Sequence, residues 1–166
     1  MSDGPGIDPE MLEKLRRGVP LVLAPTGRFR FDGEDVTHDR VHSALLAGLD
    51  VNEEGEPIVY LGDQWCYLTV EDTPLRVTTV WQVEGELSIR LDDGRTLPLD
   101  PGTLCEEPEQ GLRTSVPAAR SGRTMAARFT NAASVELSEW IELDGDTPVL
   151  SIGDTLHRIP SQPPAG

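Results

Sequence analysis

The sequence predicts an α+β fold: two repeated hairpin-helix-hairpin units with mostly antiparallel strands, preceded by a short N-terminal helix. A repeat carries that expectation. Pro57 to Leu68 and Pro148 to Ile159 superpose without a gap at an offset of 91 residues (57 to 148), with Pro, Gly and Asp recurring identically. In both copies apolar and polar residues alternate around a Gly-Asp step, Gly62-Asp63 and Gly153-Asp154. This is the pattern of two short strands joined by a tight turn, in which glycine supplies the positive φ of a II′ geometry. A helical pattern precedes each copy, and a further hairpin signal precedes each helix.

At the N-terminus, Asp8-Pro9-Glu10 leads into Met11, Leu12 and Leu15, with Lys14, Arg16 and Arg17 in the last turn and Gly18 as stop. A capping acid, proline at the first position and bases at the end suit the unpaired groups and dipole of a helix. Leu21-Val22-Leu23 and Phe29-Arg30-Phe31 flank Pro25-Thr26-Gly27 as a hairpin ending at the turn Asp32-Gly33. Asp35 or Thr37 is placed to cap the next helix, whose buried face is marked by Val41, Ala44, Leu45, Leu46 and Leu49. The first repeat hairpin follows directly.

A strand from Leu75 to Glu84 carries the chain into the second half. There Leu87 to Leu91 and Thr96 to Leu99 flank Asp92-Asp93-Gly94-Arg95, a strong hairpin signal. Asp100 to Gly122 reads as an irregular Pro/Gly-rich stretch, and Met125 to Phe129 as a strand. Thr130 or Asn131 caps a second helix in which Ala133, Leu137, Trp140 and Ile141 share a face opposite Glu136, Glu139 and Glu142. The predicted organisation is an N-terminal helix over 1–18, a first repeat over 19–76, a second repeat over 77–159 and a disordered Pro-rich tail over 160–166.

Twenty-nine acidic residues against 14 Lys and Arg give a net charge of −15 over 166 residues. That charge repels phosphate backbones and anionic lipid, so no nucleic acid and no membrane is expected among the partners. The adjacent basic pair Arg16-Arg17 is too small to offset it. No stretch approaches the roughly 20 apolar residues of a membrane span, and Met1-Ser2-Asp3-Gly4-Pro5 has neither a basic nor an apolar leader region. A cytoplasmic protein is expected. Cys66 and Cys105 are unclustered and read as free thiols of a reducing compartment. Cys66, in a strand beside Trp65, is expected to be buried, and Trp65 and Trp140 to be core residues.

The segment Val70-Glu71-Asp72-Thr73-Pro74 resembles the V-E-D-x-P hallmark of a small bacterial family, domain of unknown function twelve eighty-five. Gly27 to Gly33 with Arg40 resembles that family's opening hairpin and the arginine near its first helix. Ala126-Ala127-Arg128-Phe129-Thr130, with the following helix and the Gly153 hairpin, is similar to its closing elements. Thr37-His38 stands where the family usually has a Pro-Ile pair. The resemblance implies an α+β fold of repeated motifs without an established activity, and a suggested role in signalling or regulation.

Two constellations are candidates for chemistry. Glu71 and Asp72, with Arg76 and Arg40, are placed to bind a cationic group or a partner or to do acid–base work, although neighbours in a strand point to opposite faces unless the Thr73-Pro74 turn breaks the strand there. The structural alternative has one carboxylate capping a turn or pairing with an arginine. His38 and His42 stand at the i, i+4 spacing that sets two imidazoles on one helical face for a metal. They lack the glutamate of an H-E-x-x-H motif and any third ligand nearby in sequence. No nucleophile elbow and no phosphate-cradling loop is present, so no cofactor is predicted.

Taken together, the residues favour a non-enzymatic cytosolic regulatory or interaction module. It would bind a small-molecule ligand or a protein partner at the inter-repeat junction through Glu71, Asp72, Arg76 and Arg40. The alternative is a small metal-dependent hydrolase using His38, His42 and an acidic residue such as Asp72.

Overall fold

The computed structural model describes residues 8–161. The reading of Met1-Ser2-Asp3-Gly4-Pro5 and most of the predicted tail, residues 162–166, lie outside the described residues. The chain forms two compact units, 1–71 with 118–123, and 72–117 with 124–166. The fold is α+β, and the strands are mostly antiparallel.

In the first unit the order is α1 (Pro9–Arg17), β1 (Leu21–Leu23), β2 (Phe29–Phe31), β3 (Glu34–Asp35), α2 (Asp39–Ala47), β4 (Leu49–Val51), β5 (Pro57–Leu61), β6 (Gln64–Tyr67) and β7 (Thr69–Val70). These strands form a sheet β3-β2-β1-β7, in which β1 and β7 are parallel, and a three-stranded meander β4-β5-β6. The helix α1 starts as its sequence dictates: the Asp8 carboxylate accepts the Glu10 N–H and proline opens the first turn. Leu23, Phe29 and Val59, all at 0% exposure, anchor the core of this unit.

In the second unit the order is β8 (Leu75–Val83), β9 (Glu86–Leu91), β10 (Thr96–Pro98), β11 (Cys105–Glu107), β12 (Gly111–Pro117), β13 (Thr124–Phe129), α3 (Asn131–Leu137), β14 (Ile141–Asp144), β15 (Thr147–Ile152) and β16 (Thr155–Arg158). A six-stranded sheet runs β10-β9-β8-β13-β12-β11, with β8 and β13 parallel at its centre. Pro98 lies on the edge strand β10, where a missing N–H costs no ladder bond. A second meander, β14-β15-β16, closes the chain.

The two meanders repeat at the level of hydrogen-bond register. Ile58↔Tyr67, Val59↔Cys66, Tyr60↔Trp65 and Leu61↔Gln64 become Val149↔Arg158, Leu150↔His157, Ser151↔Leu156 and Ile152↔Thr155. Leu49↔Val59 likewise becomes Ile141↔Leu150, the second loop being one residue shorter. Gly62 and Gly153 sit at φ 63° and 58° while the aspartates after them keep negative φ, as a II′ turn requires.

Several elements differ from expectation. The cap of α2 is neither Asp35 nor Thr37 but His38, whose Nδ1 accepts the Arg40 N–H. Within α2, Val41 is 46% exposed and Ala44 is exposed; Leu45 alone is fully buried, and Leu49 belongs to β4. Asp100 to Gly122 is not irregular throughout: after a 3-10 turn at Pro101–Thr103 it holds β11 and β12. The second helix ends at Leu137 and tightens into a 3-10 turn, leaving Ile141 to β14. Glu136 does not face solvent; its carboxylate accepts the Val80 N–H beside a register shift between Val77 and Thr79. Trp65, Trp140 and Cys66 are half-buried rather than core. Of the predicted tail, the Pro160 carbonyl accepts the Glu106 N–H and Ser161 bridges Glu106.

Candidate functional site

Asp72 and Arg76 enter a buried network of guanidinium and carboxylate groups in the second unit. In the parallel pair β8/β13, Arg76 lies in register with Arg128, flanked on each strand by apolar neighbours that turn to the other face. Arg76 is 4% exposed and Arg128 7%. Arg128 forks onto Asp72, Nε to Oδ2 at 3.0 Å and Nη2 to Oδ1 at 2.7 Å, and reaches Glu107 at 2.9 Å. Arg113, the β12 partner of Arg128, adds an Nε contact to the same Glu107 oxygen at 3.2 Å. Arg76 bonds Asp92 at 2.6 Å and donates to the carbonyls of Thr73 and Pro74.

Three guanidinium groups thus meet three carboxylates, and buried charge is tolerated because each group is paired and hydrogen-bonded. The hydrogen bonds that Arg128 donates to Asp72 foremost raise its pKa above the ordinary value, against the opposing effect of burial. Thr73 completes the arrangement. Its hydroxyl donates to the Leu75 carbonyl at 2.7 Å and accepts the Arg128 N–H at 3.1 Å. The Asp72-Thr73-Pro74 segment therefore fastens the start of β8 to β13.

Glu71 turns elsewhere. It closes the first unit, where its carboxylate takes Arg30 at 2.7 Å and its N–H donates to the Leu23 carbonyl. Arg40 stands exposed in the first turn of α2, and among the described residues no hydrogen bond or ion pair joins its side chain to Glu71. His38 spends Nδ1 as a helix cap, and His42 packs edge-on against Phe29 with ring centroids 5.6 Å apart. Among the described residues no three His, Cys, Asp or Glu side chains are grouped to hold a metal ion. The hydrolase reading gains no support from this arrangement.

A cleft of about 480 Å³ opens in the second unit between the β8–β9 turn, the segment after β10 and the β15–β16 hairpin. Leu87, Leu99 and Ile152 give it apolar walls, and Glu86, Asp100 and His157 are its ionisable lining groups. Asp100 is partly committed, since Oδ1 accepts the Gly102 N–H. Glu86 and His157 are left as the polar groups suited to orient an occupant.

In the first unit one face of the meander carries aromatic rings under arginines. The guanidinium carbons of Arg16, Arg17 and Arg120 each lie 3.9 Å from the ring centroid of Trp65, Tyr67 and Tyr60 respectively. Arg17 also reaches Glu13 at 2.7 Å and Glu56 at 3.0 Å. The hydrogen bond from Arg17, then that from Asn52, holds the Glu56 carboxyl below its ordinary value. Burial raises the Tyr67 phenol, helped by its hydrogen bond to Glu13. Burial also raises the Cys66 thiol.

No family model matches the sequence, and no curated protein does. Solved structures do match. A DUF1285 family protein from Silicibacter pomeroyi DSS-3 superposes with a TM-score of 0.66 at 15% identity, over 95% of this chain and 89% of that one. A DUF1285 family protein from Shewanella baltica OS155 superposes with a TM-score of 0.57 at 12% identity, over 74% of this chain and 92% of that one. The chain has the DUF1285 fold.

Within this DUF1285 fold, sequence reasoning missed the parts played by Arg128 and Glu107, and weighed His157 only as a possible third metal ligand. Arg128 had a signal, a charge inside the apolar strand Met125 to Phe129, which demands a buried partner. Glu107 had none, lying in a stretch that reads as loop. Among the described residues no helix is long and apolar enough to cross a membrane.

Proposed function

We propose that this chain is a non-enzymatic binding module of regulatory type. It takes a small molecule, or a single projecting side chain of a partner, in the cleft between the β8–β9 turn and the β15–β16 hairpin. One observation carries the reading: apolar walls from Leu87, Leu99 and Ile152 converge with Glu86 and His157 on a space large enough for a ligand. The other conspicuous charges, Asp72, Arg76 and Arg128, are engaged in internal pairs and hold the fold. An acidic group beside an imidazole favours an occupant with an apolar body and a cationic or donor end.

Thr155 is exposed on the rim, so Thr155→Trp blocks the cleft without entering the core. Native mass spectrometry of tag-free protein, with NMR titration of a fragment library, tests the reading. Retention or shifts in the wild type that vanish in Thr155→Trp are expected. A wild-type protein with no retained mass and no shifts around Leu99 and His157 would refute it.

A further inference from the structure

Tyr60 and Trp65 are register partners, so they share one face of the first meander, and Tyr67, two residues on, points the same way. Asp50, paired with Ile58, belongs to that face as well. All three rings lie under arginines, and two of these come from α1. That helix has no buried residue; Met11 and Leu15 are 57% and 56% exposed. Leu12 is half-buried, and the polar fastenings are two guanidinium–ring stacks, the Arg17 fork onto Glu56 and the Tyr67 hydroxyl donating to Glu13. The Arg16 Nε is enclosed without a hydrogen-bond partner, so the stack over Trp65 leaves one donor unsatisfied. Water, salt and another arginine all compete for contacts of this kind.

We propose that the Trp65–Tyr67 face, with Glu56 at its margin, is a docking surface for a paired-arginine segment of a partner protein. Helix α1 is the intramolecular occupant that closes it. The chemistry of the occupant follows from α1 itself, which presents Arg16 and Arg17 side by side to two rings and a carboxylate. Arginine is required over lysine because its planar group lies flat on a ring and forks onto a carboxylate. The net charge of −15 draws such a segment in. This surface is separate from the cleft of the second unit, and neither depends on the other.

The test uses the full chain and a fluorescein-labelled peptide of the α1 sequence, Pro9 to Arg17. The variant Arg16→Ala/Arg17→Ala, whose own helix can no longer compete, is expected to bind the peptide about tenfold more tightly than the wild type. Adding Trp65→Ala abolishes that binding, and a peptide with lysine for both arginines binds less. Absence of binding to the double variant, with its β5–β6 amide signals intact, overturns the proposal; so does undiminished binding to the Trp65→Ala form. Should the double variant lose its fold, the peptide is titrated into wild-type protein and read at the Trp65 indole N–H. That signal must move with the native peptide and stay fixed when both peptide arginines are alanine, and any other result overturns the proposal. Concentration-dependent dimerisation of the wild type by sedimentation, lost in the double variant, would assign the surface to a second copy's α1 and refute a heterologous partner.

Discussion

In the meander β4-β5-β6, Asp50 is 2% exposed; its counterpart Glu142 in β14-β15-β16 is exposed. Trp65 is half-buried under Arg16, whereas Leu156, which takes its place in the second copy, is 60% exposed. Yet the strand registers of the two are the same, pair for pair. The difference lies in segments outside the repeat. Residues 118–123 bring Ser121 onto the buried Asp50 carboxylate at 2.6 Å, Arg123 onto the Val51 carbonyl at 3.1 Å and Arg120 onto Tyr60. Helix α1 adds Arg16 and Arg17. A repeated sequence thus sets the ladder, and unrepeated segments decide which faces are covered.

Matched substitutions test that division. The largest effect is expected at Gly48, where an added Cβ would lie 1.9 Å from the Tyr60 carbonyl oxygen. Gly48→Ala must push β4 off β5 and is expected to cost about 3 kcal/mol or more. The counterpart across from Ser151 is Trp140, half-buried, and Trp140→Ala is expected to cost about 1 kcal/mol. Urea unfolding of both variants gives the comparison; equal losses would contradict it.

Next in size is the Ser121 hydroxyl. Removing it by Ser121→Ala leaves the buried Asp50 Oδ1 with only the Val51 N–H, and about 1–2 kcal/mol is expected to be lost. Glu142, the exposed counterpart of Asp50, should tolerate alanine within about 0.5 kcal/mol. Thermal unfolding monitored by circular dichroism distinguishes the two.

A smaller effect concerns acid. Arg17 holds the folded-state Glu56 carboxyl below its ordinary value of 4.5, so its contribution is complete above that value and is lost as pH falls through the lowered one. Docking of α1, followed at the Trp65 indole N–H, should therefore persist through pH 5 and weaken only in stronger acid. Amides of β16, where the Arg158–Asp144 pair is exposed and 4.0 Å apart, should show no such step. Release of α1 at higher pH would break the assignment.

What the sequence made legible was local. The Gly-Asp turns, the capped α1 and the Asp92-Asp93-Gly94-Arg95 hairpin each place a residue whose backbone preference decides the geometry on the spot. The turn at Glu84-Gly85, φ 51° and 86°, escaped because glutamate is an uncommon residue in that conformation. Strands β11 and β12 escaped because prolines and glycines at 101, 102, 108 and 111 mask two short pairings. The start of α2 was misplaced because a histidine Nδ1 did the work usually left to Asp or Thr.

For the candidate residues, the acidic motif was visible but its partner was not. Asp72 meets Arg128 across 56 positions, and only the fold joins them. The same holds for the cover of the first meander, since nothing near Tyr60 or Trp65 announces Arg120 or Arg16. The structural alternative weighed for Asp72, pairing with an arginine, is what the geometry displays.

Hydrogen exchange of the intact protein, comparing backbone amides of residues 49–51 with those of 141–143, tests most directly that equal ladders carry unequal cover. Amides of β4 are predicted to exchange at least about tenfold more slowly than those of β14, because their opening must first displace 118–123. Equal protection of the two strands, or faster exchange in β4, would contradict the account.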